Sequence, residues 1–200
     1  MRKIDPVKHE GKRGEILAAA ERCFARNGFH GATIAQICDE AGISPGHLYH
    51  YFTGKEAIIG AITQTGLEYT RSRFAEISED AHPITTLVSE FERLRVHNRE
   101  GEPGVLLDVL AEAERNPAIG EILTETSQEM RRLMADFLRK GQGRGEIDPD
   151  LDADMAAAVL ISLIDSGKTL SVRDPNLDAD RSAKVLDLMI TRFLSPPVGA

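Results

Sequence analysis

The sequence predicts an all-α fold in two parts, an N-terminal three-helix helix-turn-helix domain over residues 1–58 and a larger C-terminal helical domain over residues 59–200. Three features carry that prediction. Apolar residues recur at helical spacing along nearly the whole chain, and no segment sustains the alternation of a half-buried strand. Glycine, proline and capping residues cut the pattern into helix-sized pieces. Two of those pieces, between Thr33 and Phe52, are short and joined by the tight glycine-containing turn of a helix-turn-helix.

The first helix is expected over about 11–27, with Ile16, Leu17, Ala20, Cys23 and Phe24 on one face and Gly28 just past its end. Thr33-Ile34-Ala35-Gln36 has the form of a capping box, so a second helix starts there and carries Ile34, Ile37, Cys38 and Ala41 as its apolar stripe. Gly42 ends it. Ser44 then serves as N-cap and Pro45 as the first residue of a third helix, where its missing N–H costs nothing. Thr53-Gly54-Lys55-Glu56 reads as another capping box and opens a fourth helix to about Ile77. His82-Pro83 breaks the pattern, and helices follow over roughly 84–100, 104–115 and 117–140.

Near the C-terminus, DPDLDAD (148–154) and DPNLDAD (174–180) are almost the same heptapeptide. Aspartate at every second position suggests a calcium loop, but Ala153 and Ala179 stand where an EF-hand needs glycine, and Val159 and Val185 where it needs glutamate. The remaining reading is two helix starts with acidic N-caps, favoured by the helix dipole. The helix after the first heptapeptide, from Met155, is apolar or small nearly all round, so both of its sides must be covered. It is either a central core helix of its own domain or part of a homodimer face. In the favoured reading it packs with the last helix as the face of a homodimer of two helices from each chain, with Met155, Val159, Ser162, Leu163, Leu186, Met189, Ile190 and Phe193 at the interface.

Bulk properties narrow the function. Two hundred residues at 42% hydrophobic and 28% charged suffice for one or two domains with an apolar core. No apolar run approaches the roughly 20 residues of a membrane span, and the basic segment 1–15 lacks the apolar stretch of a secretory signal, so a cytoplasmic protein without a membrane partner is expected. Cys23 and Cys38, inside apolar helical patterns, are expected as buried free thiols. The net charge of −8 is uneven, with eight Lys/Arg against seven Asp/Glu over residues 1–60 and sixteen against twenty-five thereafter. Arg2, Lys3, Lys8, Lys12 and Arg13 against Asp5 and Glu10 make the first thirteen residues basic, as a tail or as a partner surface.

The stretch SPGHLYHYFTGK (44–55) holds two of three tyrosines and two of six histidines. On a wheel of about 100° per residue, Leu48 and Phe52 share the inward side. Gly46, His47 and His50 face away, and Tyr49 and Tyr51 stand on the two flanks. Core packing therefore does not explain the cluster. A metal site would need more ligands than His47 and His50 at i and i+3, with both cysteines committed to core stripes. Catalysis would need a nucleophile beside an oriented base. Recognition of double-stranded DNA fits best: the outward face of a second helix-turn-helix helix lies in the major groove while its flanks touch phosphates. In that reading His47 and His50 meet base edges and Gly46 permits close approach. Tyr49, Tyr51, Lys55 and the helix starts at Thr33, Ser44 and Pro45 meet the backbone.

Residues 16–59 then resemble, nearly position for position, the DNA-binding domain of the tetracycline-repressor (TetR/AcrR) family of bacterial regulators. The resemblance rests on Phe24, Gly28, Thr33, Ile37, Ala41-Gly42-Ile43-Ser44, Leu48-Tyr49, Phe52 and Lys55-Glu56. Cys38 and Thr53-Gly54 depart from its usual pattern. The resemblance implies an all-α homodimer that binds a palindromic operator, usually as a repressor. It also implies a variable C-terminal domain whose small-molecule effector tilts the fourth helix and spreads the recognition helices. Inward positions offered to such an effector, of unknown identity, are Phe74, Phe91, His97, Met130, Met134 and Asp165, all of which also read as plain core. No catalytic residue, metal or cofactor is expected. The competing readings are an activator of the same family, a metal-dependent helical enzyme and a DNA-free helical adaptor.

Overall fold

The computed structural model describes residues 6–78, 80, 82–99, 104–174 and 176–197, with the side chains of 95–99, 104–106, 167–169 and 171–172 outside that set. Among the described residues all regular structure is helical: α1 (Pro6–Gly31), α2 (Ile34–Ala41), α3 (Pro45–Leu48), α4 (Lys55–Ile77), α5 (Pro83–Arg99), α6 (Gly104–Ala113), α7 (Pro117–Gly143), α8 (Ala153–Arg173) and α9 (Ala179–Leu194). The chain divides into two compact units, residues 1–66 with 104–124, and residues 67–103 with 125–200. A single cut after residue 58 is therefore not where it divides. Val109 and Ala113 of α6 and Ile119 of α7 pack with the apolar residues of α1 to α4 in the first unit.

In that unit one stripe of α1 (Ile16, Leu17, Ala20, Cys23, Phe24) meets Ile37 and Cys38 of α2, Leu48, Phe52, and Ile58 and Ile59 of α4. Both cysteines are free and buried, and desolvation raises the Cys38 thiol above its usual range. The helical register of α1 starts earlier than the sequence pattern suggested, at Pro6. It breaks at Gly28, whose φ of 68° and ψ of 170° lie in a region open essentially to glycine. A Cβ there would also overlap the Asp108 carboxylate of α6. Two residues on, His30 Nε2 lies 2.5 Å from the carboxylate of Glu112, also on α6. The α1–α2 corner is thus built around close approach of α6.

The capping expected at Thr33 is present in full. Its hydroxyl accepts from Gln36 N at 3.2 Å, and its own N–H donates to Gln36 Oε1 at 2.8 Å. Gly42 closes α2 in the left-handed region (φ 63°), with Ile43 N donating to Cys38 O at 3.0 Å. Helix α4 starts at Lys55, one residue later than a Thr53 cap would place it; Gly54 O accepts from Ile58 N.

The second unit has its own core, drawn from Leu87 and Phe91 of α5, Met134, Phe137 and Leu138 of α7, Ala156, Ala157 and Leu160 of α8, and Ile190 and Leu194 of α9. The two heptapeptides are helix starts of one design. Asp152 Oδ1 accepts from Asp154 N (3.0 Å) and Met155 N (3.1 Å), and Asp178 Oδ1 from Asp180 N and Arg181 N (both 3.0 Å).

The apolar residues of α8 and α9 divide between two sides. Ala156, Ala157 and Leu160 are buried while Met155 (57% exposed) and Val159 (50%) are open; Ser162 is exposed and Leu163 half-buried. On α9, Leu186, Ile190 and Leu194, spaced four apart, turn to the unit's own core. Val185, Leu188, Met189 and Phe193 stay exposed. This corrects the expected interface set: Ile190, at 1% exposure, and Leu186 are core residues of their own chain, because the apolar arc of α9 is wide enough to serve two faces.

Candidate nucleic-acid interface

The second helix of the helix-turn-helix is a single α-helical turn, α3, continued by tight turns to Phe52. Leu48 N donates to Ser44 O at 3.1 Å, Tyr49 N to Pro45 O at 3.0 Å and Phe52 N to Leu48 O at 3.0 Å. Ser44 caps it, its hydroxyl accepting from His47 N at 3.3 Å, and Pro45 occupies the first helical position. A helix this short has little stability of its own. Leu48 (0% exposed) and Phe52 (5%) fix it in the apolar cluster, and the Arg13 guanidinium covers the Phe52 ring at 5.6 Å.

With those two inside, Pro45, Gly46, His47, Tyr49 and His50 are exposed and Tyr51 is half-buried. The division expected from the wheel is the one observed. Tyr51 leans back on its own unit and touches two imidazoles. His9 of α1 stacks on it at 4.6 Å between centroids and 26° between planes, and His47 lies 5.5 Å away at 54°. His9 escaped the sequence reading, although it lies seven residues before Ile16 and so continues the α1 stripe two turns further.

The Thr33 hydroxyl donates to Gln36 Oε1 at 3.1 Å, inside the capping box that opens the helix start. Lys55, expected at a phosphate, is engaged elsewhere. Its ammonium donates to the carbonyls of Phe29 (2.6 Å), Ala32 (2.9 Å) and His30 (3.4 Å), and sits over the Phe29 ring at 4.7 Å. An ammonium has three donors, and here all three point into the α1–α2 corner, not outward to a phosphate.

The α1–α2 packing that carries this surface is held by an ion-pair fork. Glu40 of α2 receives Arg22 at 2.7 Å and Arg26 from α1. Hydrogen bonds from Arg26 and then Arg22 hold the Glu40 carboxyl below its ordinary range.

In the second unit the proposed effector positions do not form a set. Phe91 and Met134 are fully in the core, and Phe74 packs against it with its ring edge-on to Phe137 at 5.8 Å. Met130 and Asp165 are half-buried. The His97 side chain lies outside the described residues.

Comparison with known proteins agrees with this geometry. Residues 16–62 match the family model described as bacterial regulatory proteins, tetR family, and residues 87–195 match that of the BetI-type transcriptional repressor, C-terminal. The chain is 36% identical over 151 residues to the HTH-type transcriptional regulator UidR of Escherichia coli K12, covering 76% of each chain. Among solved structures it resembles Salmonella enterica GusR, with a TM-score of 0.78 and 32% identity over 92% of this chain and 95% of that one. It also shares the fold of FadR from Bacillus subtilis in complex with stearoyl-CoA, with a TM-score of 0.69 and 22% identity over 90% and 98% of the two chains.

Proposed function

The chain belongs to the TetR family of bacterial regulatory proteins, a family of DNA-binding transcriptional regulators, and on that premise we propose that it is a cytoplasmic, ligand-responsive repressor, a homodimer that binds a palindromic operator and lets go when a small-molecule effector binds. One observation carries the reading. The short recognition helix is pinned from below by Leu48 and Phe52 and leaves His47, Tyr49 and His50 exposed on one surface.

In this reading His47 and His50 meet base edges, where an imidazole can donate or accept, and Gly46 and Pro45 let the backbone approach. Tyr49, 55% exposed, and the Ser44 hydroxyl meet phosphates on the flank. Met155 and Val159 of α8 with Val185, Leu188, Met189 and Phe193 of α9 form the apolar face that a second copy covers, completing a four-helix bundle. Two such subunits present recognition helices to half-sites about 34–36 Å apart or a multiple of that. The helix α4 supplies residues to both units of the chain, so an effector that shifts it alters that spacing. A coupling of about 1–3 kcal/mol between effector and operator is the usual scale.

Repression rather than activation is supported by the BetI-type repressor match over residues 87–195. Effector binding is supported by the FadR structure, which holds stearoyl-CoA in the same fold. In the experiment that tests the reading, fragmented genomic DNA is passed over the immobilised protein at low salt and the retained fragments are sequenced. A shared inverted repeat is expected, and neighbouring genes would point to the effector's chemistry. Retention of no fragment would favour a DNA-free adaptor, and stoichiometric zinc in the purified protein would favour the helical enzyme.

A further inference from the structure

We propose that the first two turns of α1, residues 6–13, are a second DNA-contacting element, in which His9 is the positioning residue and Lys8 the phosphate contact. The inference rests on the regulator reading above and extends it to a segment that precedes the family match, which begins at residue 16.

The geometry starts from Tyr51. Its ring contacts both His9, at 4.6 Å between centroids, and His47, at 5.5 Å, so the two imidazole centroids are at most about 10 Å apart. A major groove is about 12 Å wide. With His47 over the groove, His9 lies within one groove width of it, in reach of the phosphate strand that borders the groove. A second link holds α1 to the same surface, the Arg13 guanidinium over the Phe52 ring. The start of α1 is therefore docked on the recognition element at two points.

Charge selects the contacting group. Arg13 pairs with Glu10, the one acid of residues 6–13, at 3.3 Å, and Lys12 with Glu15, just beyond them, at 2.6 Å. Lys8 is exposed and one residue from His9. The segment thus offers a net positive charge held beside the groove by an aromatic stack, which is what a phosphate contact requires. Without His9 the helix keeps only the Arg13 link, more than one turn further along, and the end that carries Lys8 loses its own anchor.

The test is the salt dependence of binding to sheared genomic DNA of mixed sequence, compared for the parent protein, Lys8→Ala, His9→Ala and His9→Phe. Phosphate contacts are sequence-independent, and each contributes about 0.9 to the slope of log affinity against log salt. Lys8→Ala is expected to lower that slope by about one contact. His9→Ala should lower it by the same amount, and His9→Phe, which keeps a stacking ring, should restore it. Loss of folded protein changes the active fraction but not the slope. An unchanged slope in Lys8→Ala overturns the proposal, as does failure of His9→Phe to recover what His9→Ala loses. Should the parent itself bind no DNA at low salt, the regulator reading falls, and this inference with it.

Discussion

The Lys55 ammonium donates to the Phe29 carbonyl oxygen at 2.6 Å and stands 4.7 Å from the centroid of the Phe29 ring. With Ala32 and His30 as its other acceptors, one side chain from the start of α4 satisfies carbonyls that the end of α1 leaves without partners. The α1–α2 corner is thereby tied to the helix that follows the recognition element. Lys55 thus braces the turn from which α2 starts.

Replacing Lys55 by alanine should therefore act on stability. Part-buried carbonyls would lose a charged donor, a loss of about 1–3 kcal/mol, read as a lower denaturation midpoint at unchanged m-value. The salt slope of DNA binding should stay that of the parent, because no phosphate contact is removed. A slope lower by about one with stability intact would restore Lys55 to the backbone contacts.

His50→Ala should leave stability unchanged, since the side chain is exposed. Competition binding against single-base variants of a retained operator should show relaxed preference at one or two base pairs, on the scale of about 1–3 kcal/mol. Uniform weakening against every variant would place His50 on the backbone instead.

Acid should loosen the second unit through Glu129. Hydrogen bonds from Arg132 and then Arg71 hold its carboxyl down to about 2, against 4.5 for the free group. A folded-state value below the unfolded one means that the unfolded chain binds more protons between the two. The contribution is thus whole above about pH 4.5 and lost as pH falls toward 2. Glu129→Gln lacks it at every pH. Thermal melting of parent and variant should differ near neutrality and converge in acid; a gap that widens as pH falls would refute the assignment.

Met189→Glu places a charge on the open face of α9, where the side chain is 51% exposed. The parent is expected to sediment as a dimer and the variant as a monomer with unchanged helicity. Operator affinity should fall steeply, since one subunit engages only one half-site. A variant that stays dimeric would move the interface elsewhere.

Much of the architecture was already written in local chemistry. Thr33, Gly42, Ser44 and Pro45 are capping and turn residues whose conformations depend on their own backbone, so the helix-turn-helix could be read from its spacing. The same holds for Asp152 and Asp178. Leu48 and Phe52 share one helical face at i and i+4, so burying them leaves His47 and His50 outside whatever the surroundings. Tertiary structure alone decided what each face meets. Lys55 reads as a solvent-facing cation until the chain brings the Phe29 carbonyl, 26 residues earlier, against it. Leu186 and Ile190 share the apolar arc of α9 with Met189 and Phe193, yet the first pair faces its own core and the second does not. Periodicity records which side chains share a side of a helix, because that is fixed by the 3.6-residue turn. It carries no information on which segment closes over that side, since distant parts of the chain meet only in the folded packing.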